Sequence, residues 1–135
     1  MGTTPCFINA RTDVLLASLA TGDAAIDMIN ERLSLYAQAG ADGGFVPGLS
    51  TVAQATAVAG STPLRLNVMA LPQLPPAAAL HRAGVCRISS GPGPYRVALA
   101  NARDAVRAFL AGDSAPLFSA TLDYMAMNRL FAPTR

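Results

Sequence analysis

Directly after a short apolar run at 5–10 the chain reads Arg11-Thr12-Asp13, a fixed cation, a hydroxyl and a carboxylate in succession. A strand that empties into a polar loop is the simplest description, and binding or catalytic groups concentrate on loops held by a rigid scaffold. The Arg11 guanidinium stays charged at any physiological pH, and its planar fork of donors suits a carboxylate or phosphoryl group. The structural alternative is an Arg11 that pairs with Asp13 or Asp42 to cap a sheet. Asp13 divides in the same way between orienting Arg11 and capping the loop. The stretch Ser89-Ser90-Gly91-Pro92-Gly93, ahead of a helix, has the outline of a backbone anion cradle. Pro92 and Pro94 remove two amide donors from it, so it reads as a plain strand-to-helix turn. His81, the only histidine, falls on a short helix and reads as solvent-facing. No carboxylate cluster with hard-metal character occurs in the sequence.

Composition narrows the function classes. Apolar residues make up 52% of the 135 and charged residues only 13%, which argues against disorder and for more buried surface than a small monomer easily hides. The net charge of +2 comes from ten arginines and no lysine against eight acids, and the arginines are scattered. Without a basic cluster interleaved with aromatics, nucleic-acid binding is not expected. No stretch approaches the roughly 18 uninterrupted apolar residues of a membrane helix, and no leader pattern opens the chain. A cytoplasmic protein that meets neither membrane nor nucleic acid is the expectation. Cys6 and Cys86 both fall in apolar runs that read as strands, the usual setting of reduced, buried thiols rather than a disulfide.

The elements that must position these groups follow from periodicity. A strand at 5–10 is followed by a helix at about 23–39, where Ile26, Ile29, Leu33, Tyr36 and Ala37 recur at spacings of three and four; Asp23 is its expected N-cap and Gly40 its C-cap. A second strand at 41–46 ends at Pro47-Gly48, and Ser50 is expected to cap a helix running to about Ala59. A third strand at 63–70, a short helix reaching Ala83 and its Gly84 cap, and a fourth strand at 85–89 come next. A helix over about 95–111, with an apolar face of Val97, Leu99, Ala102, Val106, Phe109 and Leu110, completes the pattern. Residues 116–131 carry an apolar load too heavy for a free tail. Four strand–helix units require a parallel sheet, because each return needs a crossover. Periodicity alone does not separate half of a (β/α)8 barrel from an open doubly wound sheet.

Particular residues break the tie. Phe7-Ile8-Asn9-Ala10-Arg11-Thr12-Asp13, then Ala39-Gly40-Ala41-Asp42-Gly43 leading to Phe45-Val46-Pro47-Gly48-Leu49, then Leu66-Asn67-Val68-Met69, resemble the fifth, sixth and seventh strands of the isocitrate lyase and phosphoenolpyruvate mutase superfamily. Val85-Cys86-Arg87-Ile88-Ser89-Ser90-Gly91 resembles its eighth. The resemblance implies an α/β fold that is half of a (β/α)8 barrel: residues 1–112 form the (β/α)4 half-barrel, and 113–135 a C-terminal helical segment that packs on a partner subunit. A complete barrel takes about 250 residues, so a missing half is part of this reading.

The family implies an enzyme, a lyase or phosphonomutase, that makes or breaks C–C or P–C bonds in small 2-oxo acids or their phosphoenol forms through an enolate-like intermediate. Mg²⁺ is implied as the cofactor, but the metal carboxylates and gating loop of such enzymes belong to the first four strands, which have no counterpart here. The resemblance makes Arg11, Asn67 and Asp13 the substrate-binding candidates: Arg11 sits where the family has an arginine on the substrate's anionic group, and Asn67 where it has a polar residue near a substrate carboxylate. No catalytic residue is assigned. Pro47 departs from the pattern, standing where some lyases carry glutamate and some mutases histidine, and a proline ring supplies neither proton nor ligand. The implied partners are a homo-oligomer or a complementary N-terminal half-barrel. The competing readings are a degenerate, non-catalytic half-barrel acting as an interaction or remnant protein, and an open-sheet nucleotide binder, which lacks a Gly-rich fingerprint after its first strand.

Overall fold

The computed structural model describes residues 6–119 and 121–132. Two compact units divide it, Met1–Gly91 and Pro92–Arg135. This cut follows compactness and is a different one from the repeat boundary at 112, which follows the count of strand–helix pairs.

In the first unit β1 (Asn9–Arg11), α1 (Gly22–Gln38), β2 (Gly43–Phe45), α2 (Val52–Ala59), β3 (Arg65–Met69), α3 (Ala77–Arg82) and β4 (Val85–Ser89) alternate. The four strands form one sheet in the order β1-β2-β3-β4, every pair parallel. Sequential parallel neighbours joined by helices are the arrangement of half of a (β/α)8 barrel, and they leave β1 and β4 as the two open edges. The strands are shorter than the apolar runs that announced them, except β4, which matches its run. Pro5, the start of the first run, lies outside the described residues.

Helix α1 packs through Ala25, Ile29 and Leu33, all without solvent exposure; Ile29 and Leu33 belong to the expected stripe, Ala25 does not, and Ile26, Tyr36 and Ala37 of that stripe are only partly buried against the core. Leu66 and Val68 of β3 belong to the same buried core, to which α2 and α3 add Ala55, Val58 and Leu80. Burying a side chain of this kind stabilises the fold by about 1.5–3 kcal/mol. Gly44 makes the close approach possible: a Cβ there would stand 2.7 Å from Leu33 Cδ2. Gly84, with φ of 92°, closes α3, and a Cβ on it would fall 2.7 Å from the Ala59 Cβ.

The caps differ from expectation by one or two residues: the C-caps of α1 and α3 are Ala39 and Ala83, each one residue before the expected Gly40 and Gly84. Thr21, not Asp23, is the N-cap of α1, and Asp23 stands in the first turn, where a carboxylate complements the helix dipole. Thr51, not Ser50, caps α2: its hydroxyl accepts from the Gln54 amide at 3.2 Å, while the Ser50 amide donates to Gln54 Oε1, also at 3.2 Å. The cysteine reading is corrected as well. Cys6 and Cys86 are free, as expected, but both are exposed. Cys6 precedes β1, and Cys86 is the extra residue where the β3–β4 register slips, on an edge strand with no neighbour to cover it.

The second unit consists of α4 (Gly93–Leu110), a 3-10 turn (Ala115–Leu117) packed on it, and α5 (Tyr124–Leu130), capped by Asp123 through the Ala126 amide at 2.6 Å. None of these three elements buries a residue. The expected apolar face of α4 is amphipathic but uncovered, with Val97, Leu99, Val106, Phe109 and Leu110 exposed. No helix among the described residues is long and apolar enough to cross a membrane.

Candidate functional site

Side chains alternate across a strand, so the pairing register decides which residues share a face. Gly44 faces α1, since a Cβ on it would meet Leu33, and its register partner Leu66 lies in the same buried core. Their neighbours Phe45 and Asn67 therefore face away from the helices. Pairing extends that row to Arg11 on one side and Arg87 on the other: Arg11 opposite Phe45, Phe45 opposite Asn67, Asn67 opposite Arg87. With strands about 4.8 Å apart, the Arg11 and Asn67 backbones lie about 10 Å from each other.

Arg11 is the last residue of β1, at the C-terminal edge of the sheet. Its Nε donates to Asp13 Oδ1 at 2.6 Å, and its guanidinium carbon stands 5.5 Å from the centre of the Phe45 ring. Both charged side chains are about half exposed, so the pair contributes under about 1 kcal/mol to stability. Its effect is geometric: Nε of the fork is held by Asp13, one face lies over Phe45, and Nη1 and Nη2 have no hydrogen bond among the described residues. Thr12, between them, is buried; its amide donates to the Phe45 carbonyl at 3.0 Å and its hydroxyl accepts from Arg32 at 3.5 Å.

Asn67 is 2% exposed, and its Oδ1 has no hydrogen-bond partner. An unpaired buried amide oxygen costs about 1–3 kcal/mol. Arg11 thus meets both Asp13 and Phe45, and Asn67 shares the row of Arg11 and Phe45 with no hydrogen bond from its Oδ1 to either. Asp42 does not join them. It is spent on the Ile8 amide, which donates to Oδ2 at 2.8 Å. Pro47 is fully buried beyond the end of β2, and His81 is exposed. Phe45 and Arg87 were not singled out by sequence. Phe45 stands near the end of its apolar run and Arg87 in the middle of its own, and cross-strand register, which places them opposite Arg11 and Asn67, is not written in any one segment.

The donor set does not fit Mg²⁺. Among the described residues no three His, Cys, Asp or Glu side chains come together, and Asp13 already answers Arg11. What the arrangement offers is an oriented cation, an aromatic wall and an amide on one face at the carboxyl ends of parallel strands, where barrels of this type bind their substrates. Fold and site together define an α/β half-barrel that carries Arg11, Phe45 and Asn67 in one row toward the carboxyl ends of its strands.

The chain belongs to the phosphoenolpyruvate phosphomutase family, which matches residues 1–110. An uncharacterised protein of Mycobacterium tuberculosis, found in strains CDC 1551 and H37Rv, is 34% identical over 111 residues, 82% of this chain. The chain spans only 41% of that relative's length. A Burkholderia cenocepacia J2315 protein assigned as a phosphonomutase superposes with a TM-score of 0.68 at 43% identity, covering 75% of this chain and 41% of that one. Another from the same organism, assigned as a lyase/mutase, gives a TM-score of 0.80 at 26% identity over 96% of this chain and 46% of that one.

Proposed function

We propose that this chain is the substrate-anchoring half of a lyase or phosphonomutase barrel acting on small 2-oxo acids, phosphonates or phosphoenol acids, and that it turns over nothing until a complementary half closes it. The observation that carries this reading is the Arg11 fork, held by Asp13 and backed by Phe45 at the carboxyl end of β1. Its two free donors take the substrate's carboxylate or phosphonyl group and orient the molecule across the end of the sheet. The Asn67 amide, two positions inside the end of β3, takes a second polar group. The family's Mg²⁺ would supply charge stabilisation for an enolate-like intermediate, and its ligands would come from the other half. The buried Pro47 favours a second reading, a scaffold that has lost its chemistry, because no proton donor stands there.

The test joins this chain to the portion of the B. cenocepacia phosphonomutase that it does not match, and assays phosphonopyruvate, oxaloacetate and isocitrate-like acids. The expected result is turnover by the assembly and none by the chain alone. An assembly that folds and binds no oxo acid would leave the scaffold reading, and turnover by the isolated chain would overturn the need for a second half.

A further inference from the structure

The face of the sheet turned away from the helices carries more than the anchoring site. Arg65 starts β3 two residues before Asn67 and so shares its face; its guanidinium carbon lies 6.0 Å from the centre of the Phe7 ring. Arg87 lies on that face too, opposite Asn67. Among the described residues Arg11 has a carboxylate partner, whereas Arg65 and Arg87 have none. The surface that closes the barrel would bury these two guanidiniums, and a buried cation requires a counter-ion and filled hydrogen bonds.

We propose that this face is closed by a polypeptide whose inward strands present carboxylates to Arg65 and Arg87, and not by a second copy of the chain. The inference rests on the half-barrel reading above. Two copies related by a twofold axis would satisfy strand count and direction, since β4 of each could pair with β1 of the other and close eight parallel strands. They would also bring the same uncompensated arginines into one enclosed space, where the acids beside β1 and β2, Asp13 and Asp42, are already taken by Arg11 and the Ile8 amide. Like charges facing each other across a desolvated interface select against that pairing, and opposite charges select for the other. Arg87, on an edge strand, adds the protection that an inward-pointing charge gives a free edge.

The test uses the chain's own scaffold as the probe. The wild-type chain is mixed with a tagged Arg65→Glu/Arg87→Glu copy, and hydrogen exchange is followed at the edge amides of β1 and β4. The mixture should protect the amides of both edges at least tenfold more than either chain alone, a readout that association through residues outside the sheet does not move. An Arg65→Gln/Arg87→Gln copy, uncharged at both positions, should fall between. Circular dichroism confirms that each variant keeps its fold. Edge protection in the wild-type chain alone would overturn the proposal in favour of a homodimeric barrel. A mixture protected no more than the separate chains would show that charge does not choose the partner. Neither readout involves turnover, so the result is independent of whether the completed barrel is catalytic.

Discussion

Arg11 and Asn67 ask opposite things of the fold. Arg11 is positioned by contacts already made, so replacing it leaves the sheet intact and removes two donors from the substrate. In the assembled barrel Arg11→Ala should lower kcat/KM by about tenfold or more, because a hydrogen bond to a charged group contributes about 1.5–3 kcal/mol. Arg11→Lys should not restore it, since a point charge keeps neither the bidentate fork nor the flat contact with Phe45. A loss within threefold for the alanine variant would remove Arg11 from the site. Asn67 is the reverse case. Its Oδ1 is buried and unpaired, so Asn67→Leu, which keeps the branching at Cγ but carries no polar atom, should hold or raise the urea midpoint of the isolated chain while weakening substrate binding by the assembly. Stability surrendered at a binding position is the mark of a functional residue. A drop of more than about 1 kcal/mol in the isolated chain, the scale of one lost hydrogen bond, would instead make Asn67 structural.

At the scale of elements, what the sequence disclosed and what it hid have separate physical causes. The stripe Ile29, Leu33 and Tyr36 repeats at the helical period, so α1 was legible, and so were four strands from four apolar runs. Caps were not fixed to the residue, because Thr21, Asp23, Ser50 and Thr51 are all competent and the choice depends on where the preceding loop turns. Cysteine burial was misjudged because Cys86 sits at a register slip on an edge, and edges and slips are properties of the assembled sheet. The caps can be checked directly. Thr51→Ala should cost about 1 kcal/mol in urea unfolding, while Ser50→Ala should cost little, since the Ser50 contribution is its backbone amide. Gly84→Ala should cost more than about 1 kcal/mol, because an L-residue is strained at φ of 92° and its Cβ would meet Ala59. An unchanged midpoint would mean that α3 and its cap shift to absorb the methyl.

For the whole molecule, the two units differ in how much of their apolar surface is hidden. The strand–helix unit buries a continuous core from Val14 to Val85. The α4–α5 unit buries no residue in its helices, and Phe118, Leu122, Tyr124, Met125, Leu130 and Phe131 are all more than half exposed. Large apolar side chains exposed in that number drive association, and a sequence with 13% charged residues offers little to oppose it. The isolated chain should therefore self-associate at micromolar concentration, through the C-terminal apolar residues rather than through barrel closure, which the arginines on the open sheet face disfavour. Light scattering on the wild type should report masses above the 13.9 kDa of one chain. A Phe118→Ser/Leu122→Ser/Met125→Ser variant should return to that mass with its circular dichroism and melting transition retained, because none of the three residues belongs to the buried core. A wild-type protein that scatters as a monomer would mean that these residues find cover within their own chain, and a triple variant that still associates would move the contact to the open edges of β1 and β4.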